Sequence, residues 1–224
     1  MKAKADFDKI LKDWSYPFQL FEKYLNNNKH FLKQEIKNIN KELNEKQAGK
    51  PIEVQIDLEN TYNEFYLNYL AGTFPDIQNK SALIILYNTI ETTLVNLCKT
   101  LEEKLNTPLK HSDLHGHILE KCKKYLVKVI GIKDDVFKTE TWEKIDAIRE
   151  IRNCIVHNES NISQISKKGK KYVKDFTSFD GFILVNNVVG ITNIDFLNEF
   201  LRLIKVFFDE LIEELNNTQK LELN

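Results

Sequence analysis

The sequence predicts a mainly α-helical protein, a helical bundle with a small β-hairpin ahead of its last helix. Leu83, Tyr87, Ile90, Leu94, Leu97 and Leu101 recur at alternating steps of four and three, the seam of a long helix that must face another. Phe196, Phe200, Leu203, Ile204, Phe207, Leu211 and Leu215 give a final helix a broad apolar face. Between these two helices, Tyr172 to Phe176 and Phe182 to Val189 alternate or run β-branched around Ser178-Phe179-Asp180-Gly181, which predicts a hairpin over residues 171–190.

Taken in order, Phe7, Ile10, Leu11 and Trp14 begin an amphipathic segment that Pro17 should interrupt, with Phe18, Phe21, Tyr24 and Leu25 continuing beyond it. Asn26-Asn27-Asn28 marks a break or a helix start. Phe31, Leu32, Ile36, Ile39 and Leu43 form the next stripe, stopped by Gly49 and Pro51. A third helix is expected from Ile56 to Leu70, ending before Gly72 and Pro75. Residues 1–74 therefore read as an N-terminal helical extension that packs on a core domain of residues 75–224. In that core, a seam helix from Pro75 to Leu105 is followed by a helix through Ile118, Leu119, Cys122, Tyr125 and Leu126, capped by Ser112 or Asp113. An amphipathic helix then ends near His157, and Asn161 to Lys171 reads as a flexible basic loop. Asp195 or Asn193 should cap the last helix.

With 224 residues, 42% of them hydrophobic, the chain can bury one substantial core. Met1 to Ile10 lacks the apolar stretch of a secretory signal, and no later segment reads as a membrane span, so a cytoplasmic protein without membrane association is expected. A net charge of -1 argues against a wholly basic nucleic-acid binder and confines any RNA contact to local patches. The 3 cysteines, Cys98, Cys122 and Cys154, are odd in number and lack metal spacing. His111, Asp113 and His115 invite a zinc reading, but no matching ligand pair follows, so no metal and no cofactor are expected.

The chemistry concentrates in Arg152-Asn153-Cys154-Ile155-Val156-His157. Arginine keeps its charge and offers a planar fork that suits phosphate, while histidine exchanges a proton near neutrality. Arginine is scarce, and two of the 3, Arg149 and Arg152, lie within eight residues of His157. On a straight helix Asn153 and His157 share a face, whereas Arg152 and His157 diverge by about 140°. The helix must therefore end near His157, or a second copy of the chain must complete the site. By spacing alone, the favoured explanation is surface ion pairing of both arginines, with neighbours such as Glu150, and a His157 that merely complements the dipole at the helix C-terminus.

This segment resembles the Arg-X4-6-His signature of the HEPN superfamily, in the form where a polar residue, here Asn153, follows the arginine. The similarity covers residues 75 to 217 and leaves the N-terminal part unmatched. It implies a helical bundle of HEPN type and, by the habit of that family, a metal-independent endoribonuclease acting as a homodimer on RNA, often as a toxin or antiphage defence effector with an antitoxin or defence-system partner. Carried over residue by residue, Arg152, Asn153 and His157 are the catalytic set. Glu91 and Arg149 support it, Glu91 by orienting Arg152 or His157. Lys167, Lys168 and Lys170 are expected to steer RNA. Where some relatives carry a tyrosine two residues after the histidine, this chain has Glu159. The alternatives are a non-catalytic HEPN-like module that binds RNA or nucleotide or dimerises, and a helical interaction protein whose working part is the N-terminal helices.

Overall fold

The computed structural model describes residues 14–218; the expected apolar positions Phe7, Ile10 and Leu11 lie outside them. The protein is mainly helical with one two-stranded sheet among the described residues. Helix α1 spans Tyr16–Gln47 without a break. Pro17 lies in its first turn, where its missing N–H is an orphan donor anyway, so it opens the helix instead of interrupting it. Asn26-Asn27-Asn28 stays helical, since each asparagine costs only a few tenths of a kcal/mol, roughly, against better helix formers.

A second correction concerns the expected stop at Gly72 and Pro75. Helix α2 (Ile52–Tyr62), two π turns (Asn63–Leu67 and Tyr69–Thr73) and helix α3 (Phe74–Leu105) form one helical run of 54 residues. The wider π turns lie directly before Pro75, which lets the helix accept a residue that cannot donate the usual bond. The division expected at residue 74 thus falls inside a helix, not in a linker. The run also contains a window apolar and long enough to cross a membrane, contrary to the sequence reading, and half of that window is buried inside the fold. The seam residues Leu83, Tyr87, Ile90, Leu94, Leu97 and Leu101 are all buried there, as in a core helix.

Helices α1 and α2 form a hairpin joined by Tyr62, whose hydroxyl donates to Glu42 Oε1 at 2.8 Å and accepts from Lys46 Nζ at 2.7 Å. Only the first turns of α1 enter the main core. Phe18, Phe21 and Leu25 are buried there, and Trp14 stacks on Phe208 at 4.9 Å between ring centroids. Farther along, Phe31, Ile56, Phe65 and Tyr66 stay exposed.

Beyond α3 come α4 (Ile118–Tyr125), α5 (Glu140–His157), α6 (Lys167–Phe176), strands β1 (Phe182–Val185) and β2 (Val188–Ile191), and α7 (Asp195–Asn216). The expected cap of α4 is not made: His111–Asp113 is a separate 3-10 turn, Asp113 Oδ2 accepts from Lys110 N at 2.9 Å, and α4 starts after His117. Nor does a side chain cap α7: Ile194 holds the cap position, and Asn193 Oδ1 accepts only from Asp195 N, at 3.3 Å, on the way into the helix.

Two local readings change around the sheet. The stretch read as a basic loop and first strand is helix α6 from Lys167 onward, because Ser166 Oγ accepts from Gly169 N at 3.0 Å and Glu150 of α5 accepts from Ser166 N at 3.1 Å. The hairpin is correspondingly shorter, and it turns at Asn186 and Asn187, both left-handed at φ 51° and 64°. Two consecutive positive φ values match the right-handed twist of the strands, and asparagine tolerates them. Asp76 and Asn79 of α3 cover β2, accepting from Ile191 N at 2.6 Å and donating to Ile191 O at 2.9 Å. Every residue of the expected α7 stripe is buried.

Candidate functional site

Helix α5 carries the motif. Thr139 caps its start, with Oγ1 accepting from Trp142 N at 3.2 Å. Trp142, Ile145, Ile148, Ile151 and Cys154 are buried in the core, leaving Asp146, Arg149, Arg152, Asn153 and His157 on partly accessible faces. The helix stops at His157 because Glu159 and Ser160 take positive φ, and Asn158 N and Ser160 N both donate to Cys154 O at 2.9 and 3.0 Å. Ser160 O then accepts from Val189 N at 2.9 Å, which ties the end of the motif helix to the hairpin.

Arg152 is held by neutral amides. Its Nη1 donates to Asn153 Oδ1 at 3.0 Å and its Nη2 to Asn88 Oδ1 of α3 at 3.5 Å, while its buried Nε has no hydrogen-bond partner. Arg149 and Arg202 pair with carboxylates, whereas Arg152 has none within 4.0 Å among the described residues. Asn153 therefore serves Arg152, although on the helix it shares a face with His157.

Glu91 approaches this cation from α3 without an ion pair. Burial raises its carboxyl above the ordinary value, and the Tyr87 hydroxyl and the charges of Arg152 and Arg149 pull it partly back. The buried Tyr87 hydroxyl leans on Glu91 short of full hydrogen-bond geometry, and its own ionisation is pushed up by burial and then by Glu91. Arg149 is ion-paired, as surface pairing predicted: Nε lies 3.2 Å from Asp146 Oδ1 and Nη2 3.8 Å from Glu150 Oε1.

Asp146 has a second neighbour missed from sequence. His117 Nε2, at the start of α4, lies 4.0 Å from the same Oδ1. Burial lowers the His117 pKa, Arg149 lowers it further, Asp146 and Glu120 oppose that, and Lys124 adds a small depression. The signal in the sequence was the His111–His117 cluster, read there as an unconvincing metal set. Among the described residues no group of three or more histidine, cysteine or acidic side chains is arranged to hold a metal ion. His111 instead packs inward, with Nδ1 2.7 Å from Glu102 Oε1.

His157 stands apart. Its imidazole has no hydrogen-bond or ion-pair partner among the described residues and edges an open depression of about 350 Å³ shared with Asn158, Asn161, Gln164 and Val188. Arg152 and His157 are not brought together within one chain, being about 7.5 Å apart along the axis and about 140° around it.

The three lysines do not form a loop at His157. All lie on α6, where Lys168 Nζ is 3.5 Å from Glu143 Oε1 and Lys170 Nζ donates to Ser163 O at 2.8 Å. Glu143 opens the motif helix, about 20 Å along its axis from His157. Cys154 is a packed thiol donating to Asn161 O at 2.7 Å, and burial raises its pKa.

Comparison with protein-family models, with curated proteins and with solved structures finds no match to this chain. The arrangement brings together a cation with only neutral amides at contact distance, the Glu91 carboxyl farther off, a histidine 4.0 Å from an aspartate, and a second, exposed histidine at the end of α5.

Proposed function

We propose that the protein is a metal-independent endoribonuclease of HEPN type, acting in the cytoplasm as a toxin or antiphage defence effector, with a homodimeric active site. The observation that carries this reading is Arg152. Neutral amides aim its guanidinium and no carboxylate lies at ion-pair distance among the described residues, Glu91 acting on it only from farther off, so the charge is left for an anion, and the fork geometry suits a phosphodiester. The ribose 2′-oxygen attacks the adjacent phosphorus, the 5′-oxygen leaves, and the products are a 2′,3′-cyclic phosphate and a 5′-hydroxyl. Arg152 meets the charge growing on the phosphoryl oxygens. His157 transfers a proton. Glu91 and Arg149 set the field around Arg152, and the resemblance of Arg152-Asn153 and His157 to the family signature supports the same assignment.

A second reading, a non-catalytic module that binds RNA or nucleotide, is favoured by the separation of Arg152 and His157 within one chain. Incubating labelled RNA with the protein in EDTA separates the two. Fragments ending in 2′,3′-cyclic phosphate support the nuclease, and retention of intact RNA supports the binding module.

A further inference from the structure

The two-stranded sheet has one covered edge and one open edge. Along β2, Val189 N donates to Ser160 O and Asn187 O accepts from Ile162 N, each at 2.9 Å, and Asp76 and Asn79 engage both backbone groups of Ile191. Strand β1 has no such cover at its centre. The two-residue turn at Asn186 and Asn187 makes Val185 and Val188 a hydrogen-bonded pair. Ile183 and Gly190 are then the next such pair, and Leu184 between them turns its N–H and C=O outward. Val189, opposite Leu184 in the register, points its N–H away from the ladder in the same phase. Neither backbone group of Leu184 has a hydrogen-bond partner among the described residues.

Proteins guard an edge of this kind with a charge, a proline or a bulge. Phe182-Ile183-Leu184-Val185 carries none of these, and on its outer face Ile183, Val185 and Val188 are 42%, 58% and 40% exposed. The other face has a different character. There Leu184 borders a depression of about 280 Å³ shared with Ile162 and with Lys170 and Lys174, one turn apart on α6. Lys170 donates to Ser163 O at 2.8 Å, and Lys174 has no ion pair within 4.0 Å among the described residues.

An unpaired N–H and C=O on one extended residue are what an added strand recognises, so the occupant of this edge is an extended chain. Its successive side chains fall on opposite faces. Those beside Ile183 and Val185 meet an apolar, β-branched surface, and those beside Leu184 approach the two lysines, which calls for carboxylates. A second copy of β1 fits badly, because it offers no acidic residue and would bring two sets of Lys170 and Lys174 together.

We propose that β1 is a docking edge for an extended segment of a partner protein in which β-branched and acidic residues alternate, added to the sheet as a third strand. Leu184 N donates to a carbonyl of that segment, Leu184 O accepts from one of its amides, and Lys174 pairs with a carboxylate. The docking uses neither Arg152 nor His157 and goes beyond the ribonuclease reading without depending on it.

The test uses the full chain, isotope-labelled for amide exchange by NMR, with an end-blocked peptide of about ten residues in which valine and glutamate alternate. In the free protein the Leu184 amide should exchange faster than those of Ile183 and Val185, which the ladder holds. The peptide should slow Leu184 by at least about tenfold and change the other two little. A peptide alternating valine and lysine should not protect it, nor should the acidic peptide methylated on its backbone nitrogens, which keeps its carboxylates but cannot donate to Leu184 O. Lys170→Gln with Lys174→Gln should weaken the acidic peptide by about tenfold, the worth of two surface ion pairs. Leu184→Pro should abolish binding, since it removes the outward donor and no ladder bond. Its melting temperature reports whether the hairpin still forms, and the methylated peptide makes the same test on the unaltered protein. If the acidic peptide leaves Leu184 exchange unchanged, or the lysine peptide protects it equally, the proposal is wrong. Protection of Leu184 that grows with the concentration of the protein alone would assign the edge to a second copy instead. Binding of a single-stranded RNA that is lost in the double lysine variant, with no protection by the acidic peptide, would assign the lysines to nucleic acid and overturn the proposal.

Discussion

Arg152 reaches across 64 positions of sequence to the amide oxygen of Asn88, and the contact at 3.5 Å fixes the motif helix against the long helix α3 at the point where the charge is presented. Both partners of the guanidinium are neutral. The cation is thus oriented without an ion pair at contact distance, with Glu91 acting on it only from farther off, a state that favours an incoming anion.

The first prediction divides the motif. Arg152→Ala should weaken RNA affinity and turnover together, since one cation meets ground-state and transition-state charge. His157→Ala should lower turnover by about 10²- to 10⁴-fold and leave affinity near the parent value. Filter binding beside single-turnover cleavage checks both, and equal losses of affinity in the two variants would contradict the division.

Glu91 gives an unusual signature. Its folded pKa is raised, so its contribution to stability is fully present below the unfolded value of 4.5 and is lost as pH rises through the folded one. At neutral pH the carboxylate is a net cost. Glu91→Gln should therefore raise the melting temperature at pH 7, on the order of 1–2 °C for a chain of this size, and lower activity. The gain should vanish near pH 4.

For His117 the sign is opposite. Its folded pKa lies below 6.5. The stabilisation is present above the unfolded value and is lost as pH falls through the folded pKa, because the unfolded chain takes the proton first. Proton NMR of the imidazole should show a midpoint below 6.5, and Arg149→Gln should move it upward by removing a neighbouring cation. An unchanged midpoint in that variant would show that Arg149 does not reach the ring.

The lysines of α6 should matter less than a loop at the site would. Lys168→Gln with Lys170→Gln is expected to change the salt slope of RNA binding by less than about one, since Lys168 is paired with Glu143 and Lys170 donates to Ser163 O within the chain. Lys167→Gln is the variant to compare. A slope change of about two from the first pair would place RNA along α6.

The anchoring of α1 is equally measurable. Phe18 is fully buried in an aromatic group with Trp14 and Phe208, so Phe18→Ala should cost roughly 3–5 kcal/mol in denaturant unfolding. Phe31, 55% exposed on the same helix, should cost no more than about 0.5 kcal/mol when replaced by alanine.

Strong periodicity made α3 and α7 readable in the sequence: their apolar stripes are long, and every stripe residue proves buried. Helix α6 was not readable because its apolar residues, Tyr172, Val173 and Phe176, are few, and its start depends on Glu150 from another helix. Local pattern does not carry such a cap. Pro17, Pro75 and Gly72 misled for a related reason: they punctuate a chain only where nothing accommodates them, and here a first turn and two π turns do. Of the candidate site, the residues on α5 were legible as one motif. Asn88 and His117 were not, because their place beside it is set by the packing of α3 and α4.

The unbroken run from Ile52 to Leu105 has a mechanical meaning. Its outer part, from Ile52 to Phe74, extends about 33 Å at helical rise, while its inner part bears Asn88 and Glu91. It is a lever with its short arm beside Arg152. A tilt of about 5° near Phe74 moves the Ile52 end by roughly 3 Å and, through an inner arm of about 21 Å, moves Asn88 by roughly 2 Å, enough to make or break its contact with the guanidinium.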